Sequence, residues 1–147
     1  MTAVSREIVV GVAIERFYDL LVDYQRYPEF VPNLIRCRII SSGPHKDVEY
    51  QLDLGVKRIR YILRHLEERP NRITWSLVGG DLMKVSNGSW ELSDQEGRTR
   101  ARYSVDIQIS KPPFIPQALI DRVGDELTRI QLPRTLQAFK TRAEAWG

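Results

Sequence analysis

The chain has 147 residues, of which 28% are charged and 42% hydrophobic, with a net charge of +3. This is the balance of one soluble domain with an ordinary core, and it excludes a disordered chain. No apolar run reaches the ~18 residues of a membrane span, and residues 1–10 lack the apolar centre of a signal peptide.

The lone Cys37 has no partner for an internal disulfide, so the reading is a single domain over residues 1–147 in the cytoplasm. Residues 5–11 alternate weakly, with Ile8 and Val10 opposite Glu7 and Val9, and predict a first strand ending at Gly11. Ile14, Phe17, Tyr18 and Leu21 then recur at helical spacing, which predicts an amphipathic helix over 14–22. Residues 24–32 read Tyr-Gln-Arg-Tyr-Pro-Glu-Phe-Val-Pro. Tyr27 precedes proline and is biased to extended backbone, Pro28 suits the first position of a single helical turn, and Pro32 ends it. Tyr24, Tyr27, Phe30 and Val31 give this turn more apolar surface than it needs for itself, so a concave surface must receive it.

From residue 34 to 110 the period is two. Ile35, Cys37 and Ile39 oppose Arg36, Arg38 and Ile40. Val48, Tyr50, Leu52 and Leu54 oppose Glu49, Gln51 and Asp53, and Ile59, Tyr61, Leu63 and His65 oppose Arg58, Arg60, Ile62 and Arg64. Ile73, Trp75 and Leu77 follow the Pro70-Asn71 turn. Gly79-Gly80-Asp81 marks a hairpin into a strand through Trp90 and Leu92, and the last strand sets Ala101, Tyr103, Val105, Ile107 and Ile109 against Arg100, Arg102, Ser104, Asp106 and Gln108. Seven strands joined by tight turns predict one antiparallel sheet with one covered face.

Residues 111–116, Lys-Pro-Pro-Phe-Ile-Pro, form a stiff connector to a final helix. Its stripe Leu119, Val123, Leu127, Ile130 is out of phase with a second, Leu136, Phe139, Ala143, Trp146. Pro133 between them predicts a kink or break over 129–133. The order of elements makes this an α+β chain. A seven-stranded curved antiparallel sheet wraps around a long C-terminal helix, and two short helices lie between strands 1 and 2. One helix cannot fill such a sheet, so a cavity follows, with its mouth between the 24–32 segment, the hairpin tips and the 111–116 connector.

This order resembles the helix-grip fold of the START and Bet v 1 superfamily. Asp23, Tyr27-Pro28-Glu29-Phe30 and Pro32 look like the Asp-x-x-x-Tyr-Pro-x-Phe-x-Pro signature of the polyketide cyclase/dehydrase and lipid-transport family, in particular its coenzyme Q-binding, RatA-like branch. Gly88-Ser89-Trp90-Glu91-Leu92 is similar to that branch's Gly-x-Trp-x-Phe strand, and Ala138-Phe139-Lys140-Thr141-Arg142-Ala143 to its Ala-Phe-x-x-Arg-Ala helix. The branch usually continues its first motif with Trp-Cys, where this chain has Asn33-Leu34. Its final helix is usually continuous, where this chain has Pro133.

The expected ligand-binding residues are Tyr27, Phe30, Tyr50, Tyr61, Leu63, His65, Trp75, Trp90, Tyr103, Val105, Leu119, Val123 and Leu127, apolar walls with a few polar tips. His65 is either a proton donor or acceptor for a ligand oxygen or a histidine bonded to water and backbone. No nucleophile elbow, phosphate loop or metal-ligand spacing is present, so no catalytic residue, metal or cofactor is assigned. Arg36, Arg38, Arg58, Arg60, Arg64, Arg100 and Arg102 fall on the outward face, interleaved with Glu49, Asp53, Glu67 and Asp106. That is either a salt-bridged solvated face or a basic surface for a ribosome or anionic membrane; no DNA partner is expected. The leading expectation is binding or transport of a hydrophobic small molecule such as a lipid, isoprenoid quinone or polyketide. The alternatives are an aromatase/cyclase using Tyr61, His65 or Arg64, and a ribosome-associated interaction protein.

Overall fold

The period-two stretches pair into one sheet. In the computed structural model, which describes residues 2–55, 57–110 and 112–146 without the Thr2 and Trp146 side chains, β1 is Thr2–Val10, β2 Leu34–Ser41, β3 Lys46–Asp53, β4 Arg58–Glu68, β5 Arg72–Gly80, β6 Met83–Gln95 and β7 Arg98–Ile109. Lys111 of the expected connector and the Trp146 side chain of the expected second stripe lie outside the described residues. The seven strands are ordered β1-β7-β6-β5-β4-β3-β2, antiparallel throughout. β1 and β2, neighbours in sequence, are thus the two edges. The chain crosses between them through α1 (Ile14–Leu21) and a 3-10 segment, Tyr24–Glu29.

Alternation sends Tyr50, Leu63, His65, Trp75, Trp90 and Val105 to the covered face, where each is buried. The pairing of β5 with β6 is short, Arg72–Trp75 against Gly88–Glu91. Beyond it Asp81 donates its N–H to the Arg60 carbonyl on β4, and Ser110 beside β7 donates to the Leu82 carbonyl, so the two strands follow different neighbours. At this fork Gly88 is paired with Trp75, and a Cβ on Gly88 would lie 2.4 Å from the indole and 2.6 Å from the Ser104 carbonyl oxygen. The glycine of the Gly-x-Trp motif is there to let the ring of Trp75 lie across the sheet.

The last helix does not break at Pro133. α2 (Gln117–Asp125) runs into a π-helical turn, Glu126–Gln131, and then α3 (Leu132–Trp146). The Leu132 N–H reaches back to the Leu127 carbonyl, one residue further than in an α-helix. The widened turn precedes Pro133, whose ring cannot sit under an ordinary α-helical carbonyl. It also resolves the phase mismatch, because one inserted residue rotates the helix by about 100°. Ile120 and Val123 before the turn, Leu127 within it, and Leu132, Leu136, Phe139 and Ala143 after it are therefore all buried.

The observed first strand begins earlier than expected and the first helix ends at Leu21. The turn at Pro28 starts at Tyr24, so Pro28 lies inside it rather than at its head. The bonds that close it, Arg26 N–H to Asp23 and Phe30 N–H to Tyr27, do not require a Pro28 N–H. Among the described residues no helix is long and apolar enough to cross a membrane.

Gly88→Ala is expected to lower stability by about 1–3 kcal/mol through overpacking against Trp75. Urea denaturation followed by tryptophan fluorescence measures it; an unchanged midpoint would show that the indole has room to yield.

Candidate functional site

The 24–32 segment is held at one end against α3 and at the other against the π turn. The Tyr27 hydroxyl donates to the Leu21 carbonyl, and its ring meets Phe139 edge-on at 5.0 Å. Phe30 meets Phe139 at 5.2 Å, Arg142 lies 5.1 Å over Phe30, and an Arg142 Nη2 bonds Glu29 at 2.7 Å. At the other end Gln131 Nε2 donates to the Pro32 carbonyl at 2.6 Å, and Asn33 Nδ2 donates to Gln131 Oε1 at 3.2 Å. Asn33 stands at φ 67°, a conformation asparagine tolerates better than most residues. The Asn33 that departs from the family pattern thus ties the segment to the π turn.

Between this segment, the sheet and the helix lies a cavity of about 120 Å³. Ten of the thirteen expected residues line it: Tyr27, Tyr50, Tyr61, Leu63, His65, Trp75, Trp90, Tyr103, Val105 and Leu127. Phe30, Leu119 and Val123 do not. Phe30 turns to the outer side of α3 under Arg142, Leu119 is half-buried before the π turn, and Val123 is fully buried in α2 packing. The 112–116 part of the connector contributes nothing to the lining either, and Phe114 there is fully exposed. Tyr24, Met83, Ser86, Gln131 and Thr135 line the cavity without having been expected. The polar residues Gln131 and Thr135 continue the spacing of four from Leu127, a signal masked by the phase shift. Met83 and Ser86 sit on the strand whose alternation is least regular.

The walls are aromatic. Tyr50 and Tyr61 stack at 5.3 Å and 10°, and Tyr103 packs on Trp75 and Trp90 at 5.5 and 4.8 Å. His65 is 4% exposed, its ring 4.6 Å from that of Tyr24, and its Nε2 is 2.8 Å from the Tyr50 hydroxyl. Its Nδ1 is buried with no hydrogen-bond partner among the described residues. Burial, with a smaller push from Lys46, lowers the imidazole to about 3, against the opposing pull of Asp47. Burial raises the Tyr50, Tyr61 and Tyr103 hydroxyls well above their ordinary range. All these groups are uncharged at neutral pH.

Glu67 was expected on the outer face but follows His65 on the inner one. It accepts from the Tyr24 hydroxyl at 2.8 Å and pairs with Lys46 at 3.0 Å at the rim. Arg64 points outward onto Asp47, at 2.9 and 3.1 Å, and takes no part in the cavity. Cys37 is a buried core residue whose thiol is pushed up by burial. No group of three His, Cys, Asp or Glu side chains placed to hold a metal occurs among the described residues.

The outward arginines are mostly paired. Glu49 is 2% exposed beneath Arg38 and Arg60, whose nitrogens lie 3.2 and 2.5 Å from its oxygens. Burial would raise that carboxyl, but the bonds from Arg60 and Arg38 outweigh it and hold it below the usual range. Arg58 pairs with Asp53 and Arg100 with Glu7. Arg36 makes no ion pair among the described residues, and Arg102 bonds only the Ser5 hydroxyl, at 3.2 Å.

Residues 10–135 match the family model for polyketide cyclase / dehydrase and lipid transport. The chain is 26% identical to the ribosome association toxin RatA of Escherichia coli (strain K12), over 98% of this chain and 88% of that one. Among solved structures, Zhui aromatase/cyclase from Streptomyces sp. R1128 superimposes with a TM-score of 0.85 at 15% identity, covering 97% of this chain and 93% of that one. A START superfamily protein from Mycobacterium smegmatis does so at 0.78 and 17%, covering 99% of both. At these identities the structural matches fix the helix-grip fold.

A histidine near 3 in the folded chain and near 6.5 unfolded binds its proton mainly in the unfolded state between those values. Stability is therefore complete above about pH 6.5 and lost as pH falls toward 3. The wild type is expected to lose up to about 1.4 kcal/mol more per pH unit than His65→Gln across pH 6 to 4. Denaturant melts at each pH test this, and equal slopes would contradict a buried neutral imidazole facing Tyr24, Tyr50, Lys46 and Glu67.

Proposed function

Because this chain belongs to the polyketide cyclase/dehydrase and lipid transport family, we propose that it binds or transports a hydrophobic small molecule in the cavity between sheet and last helix. The observation carrying this reading is the lining itself, aromatic and aliphatic on all sides, with only uncharged polar tips. Transfer of a ring from water to such walls is favoured by roughly 25 cal/mol per Å² of apolar surface buried.

A cavity of about 120 Å³ takes one ring, since an engineered apolar cavity of about 150 Å³ accommodates benzene. A lipid, isoprenoid quinone or polyketide is larger. Its remainder passes between the 24–32 segment and the last helix, where the contacts to be parted are Gln131 of the π turn with Pro32 and Arg142 of α3 with Glu29. An aromatase/cyclase would have to work with His65 and the tyrosines, because no carboxylate or cation lines the cavity among the described residues. This makes the carrier reading the better supported one.

Native mass spectrometry and solvent extraction of the purified protein are expected to recover a bound apolar compound. Replacing Leu63 by Glu, which places a charge in the cavity, should reduce its recovery. A chain that emerges ligand-free and takes up neither quinone nor lipid would end this reading.

A second reading follows from the relative named as a ribosome association toxin. Its support here is limited to the two of the seven expected outward arginines that make no ion pair among the described residues, Arg36 and Arg102. If it holds, the protein co-sediments with ribosomes at low salt, leaves them as salt rises, and loses binding in Arg36→Glu/Arg102→Glu. No pelleting at low salt would dismiss it.

A further inference from the structure

We propose that the cavity selects an uncharged ring bearing a hydroxyl or carbonyl oxygen, and that the Tyr50–His65 pair is the group that reads this oxygen. The proposal rests on the carrier reading above and deepens it. Tyr50 and His65 face each other from paired strands, 2.8 Å apart, and both line the cavity.

One hydrogen bond between them leaves a definite remainder, whichever way it runs. If the Tyr50 hydroxyl donates to Nε2, the pair keeps an Nδ1–H donor and a lone pair on the Tyr50 oxygen. If Nε2–H donates, it keeps the Tyr50 O–H and an accepting Nδ1. Either tautomer leaves one donor and one acceptor, and Nδ1 is buried with no partner among the described residues. A buried nitrogen left so is costly, and a ligand oxygen relieves the cost.

The two remaining positions lie on opposite edges of the imidazole, so one ligand oxygen meets one of them: a phenolic hydroxyl can serve either as donor or as acceptor, and a ring carbonyl uses the donor. A carboxylate or phosphate is disfavoured, because no cation among the lining residues would compensate its loss of water. Lys46, a cation whose charge acts on His65, is engaged by Glu67 at 3.0 Å and does not line the cavity. The stacked Tyr50 and Tyr61 rings, 10° apart, supply a flat wall for the ring that carries the oxygen.

The test uses three probes built on one para-methylated ring, p-cresol, p-toluate and p-xylene, titrated at pH 7 into the full chain. The NMR signals of the Trp75 and Trp90 indole N–H groups provide the readout. Because an uncompensated charge is expensive to bury, p-cresol is expected to bind at least about tenfold more tightly than p-toluate. In Tyr50→Phe the affinity ratio of p-cresol to p-xylene should fall by about threefold or more, the scale of one hydrogen bond.

Toluate binding as tight as cresol binding would overturn the proposal while p-xylene binding left the carrier reading standing. An unchanged cresol-to-xylene ratio in Tyr50→Phe would overturn the role of the pair. Failure of all three probes to move either indole would overturn both readings. The wild-type comparison of cresol with toluate needs no variant to fold.

Discussion

The arrangement depends on one aromatic contact set centred on Phe139. Its ring meets Tyr27 at 5.0 Å, Phe30 at 5.2 Å and Trp90 at 5.7 Å, all edge-on. With Phe139 they belong to three motifs that are well separated along the chain. Phe139 reaches them because the π turn rotates α3 by one residue and aims its apolar stripe back at the sheet. Edge-to-face rings contribute about 0.5–1.5 kcal/mol each beyond burial. Together they fix the distance between helix and sheet, and so the width of the cavity beside them.

That width creates a tension between packing and binding. A cavity adjoining so many rings leaves tyrosine hydroxyls and a histidine without the full set of partners they would have in water. Tyr27 resolves it with the Leu21 carbonyl and Tyr24 with Glu67, so both serve the fold as well as the lining. Tyr50 and His65 resolve it only halfway. Polar capacity that the core leaves unused among apolar walls is where ligand discrimination belongs.

The outer face follows another logic. Its arginines look like a basic surface in a linear reading, yet cross-strand pairing sets acidic residues beside most of them. Glu49 is the limiting case, a carboxylate almost removed from water by Arg38 above and Arg60 beside it. Charge alternation on this face is spent mainly within the sheet, and of the seven arginines expected there Arg36 and Arg102 make no ion pair among the described residues.

The sequence alone determined the strands, the two short elements between β1 and β2 and the inner set from Tyr50 to Val105. A period of two leaves no choice about which side chains share a face. Eight cavity residues followed from that alternation, Tyr27 from the 24–32 segment marked as needing a receiving surface, and Leu127 from the helical stripe. Only the tertiary structure decided the rest. Phe30, Leu119 and Val123 fall outside the lining because helix phase, rather than hydropathy, governs which apolar residues border a void. The π turn, set by where Leu132 finds a carbonyl, carries no local sequence signature beyond Pro133. The meeting of His65 with Tyr50 is likewise a matter of strand register and ring rotamer, long-range geometry that a linear pattern does not encode.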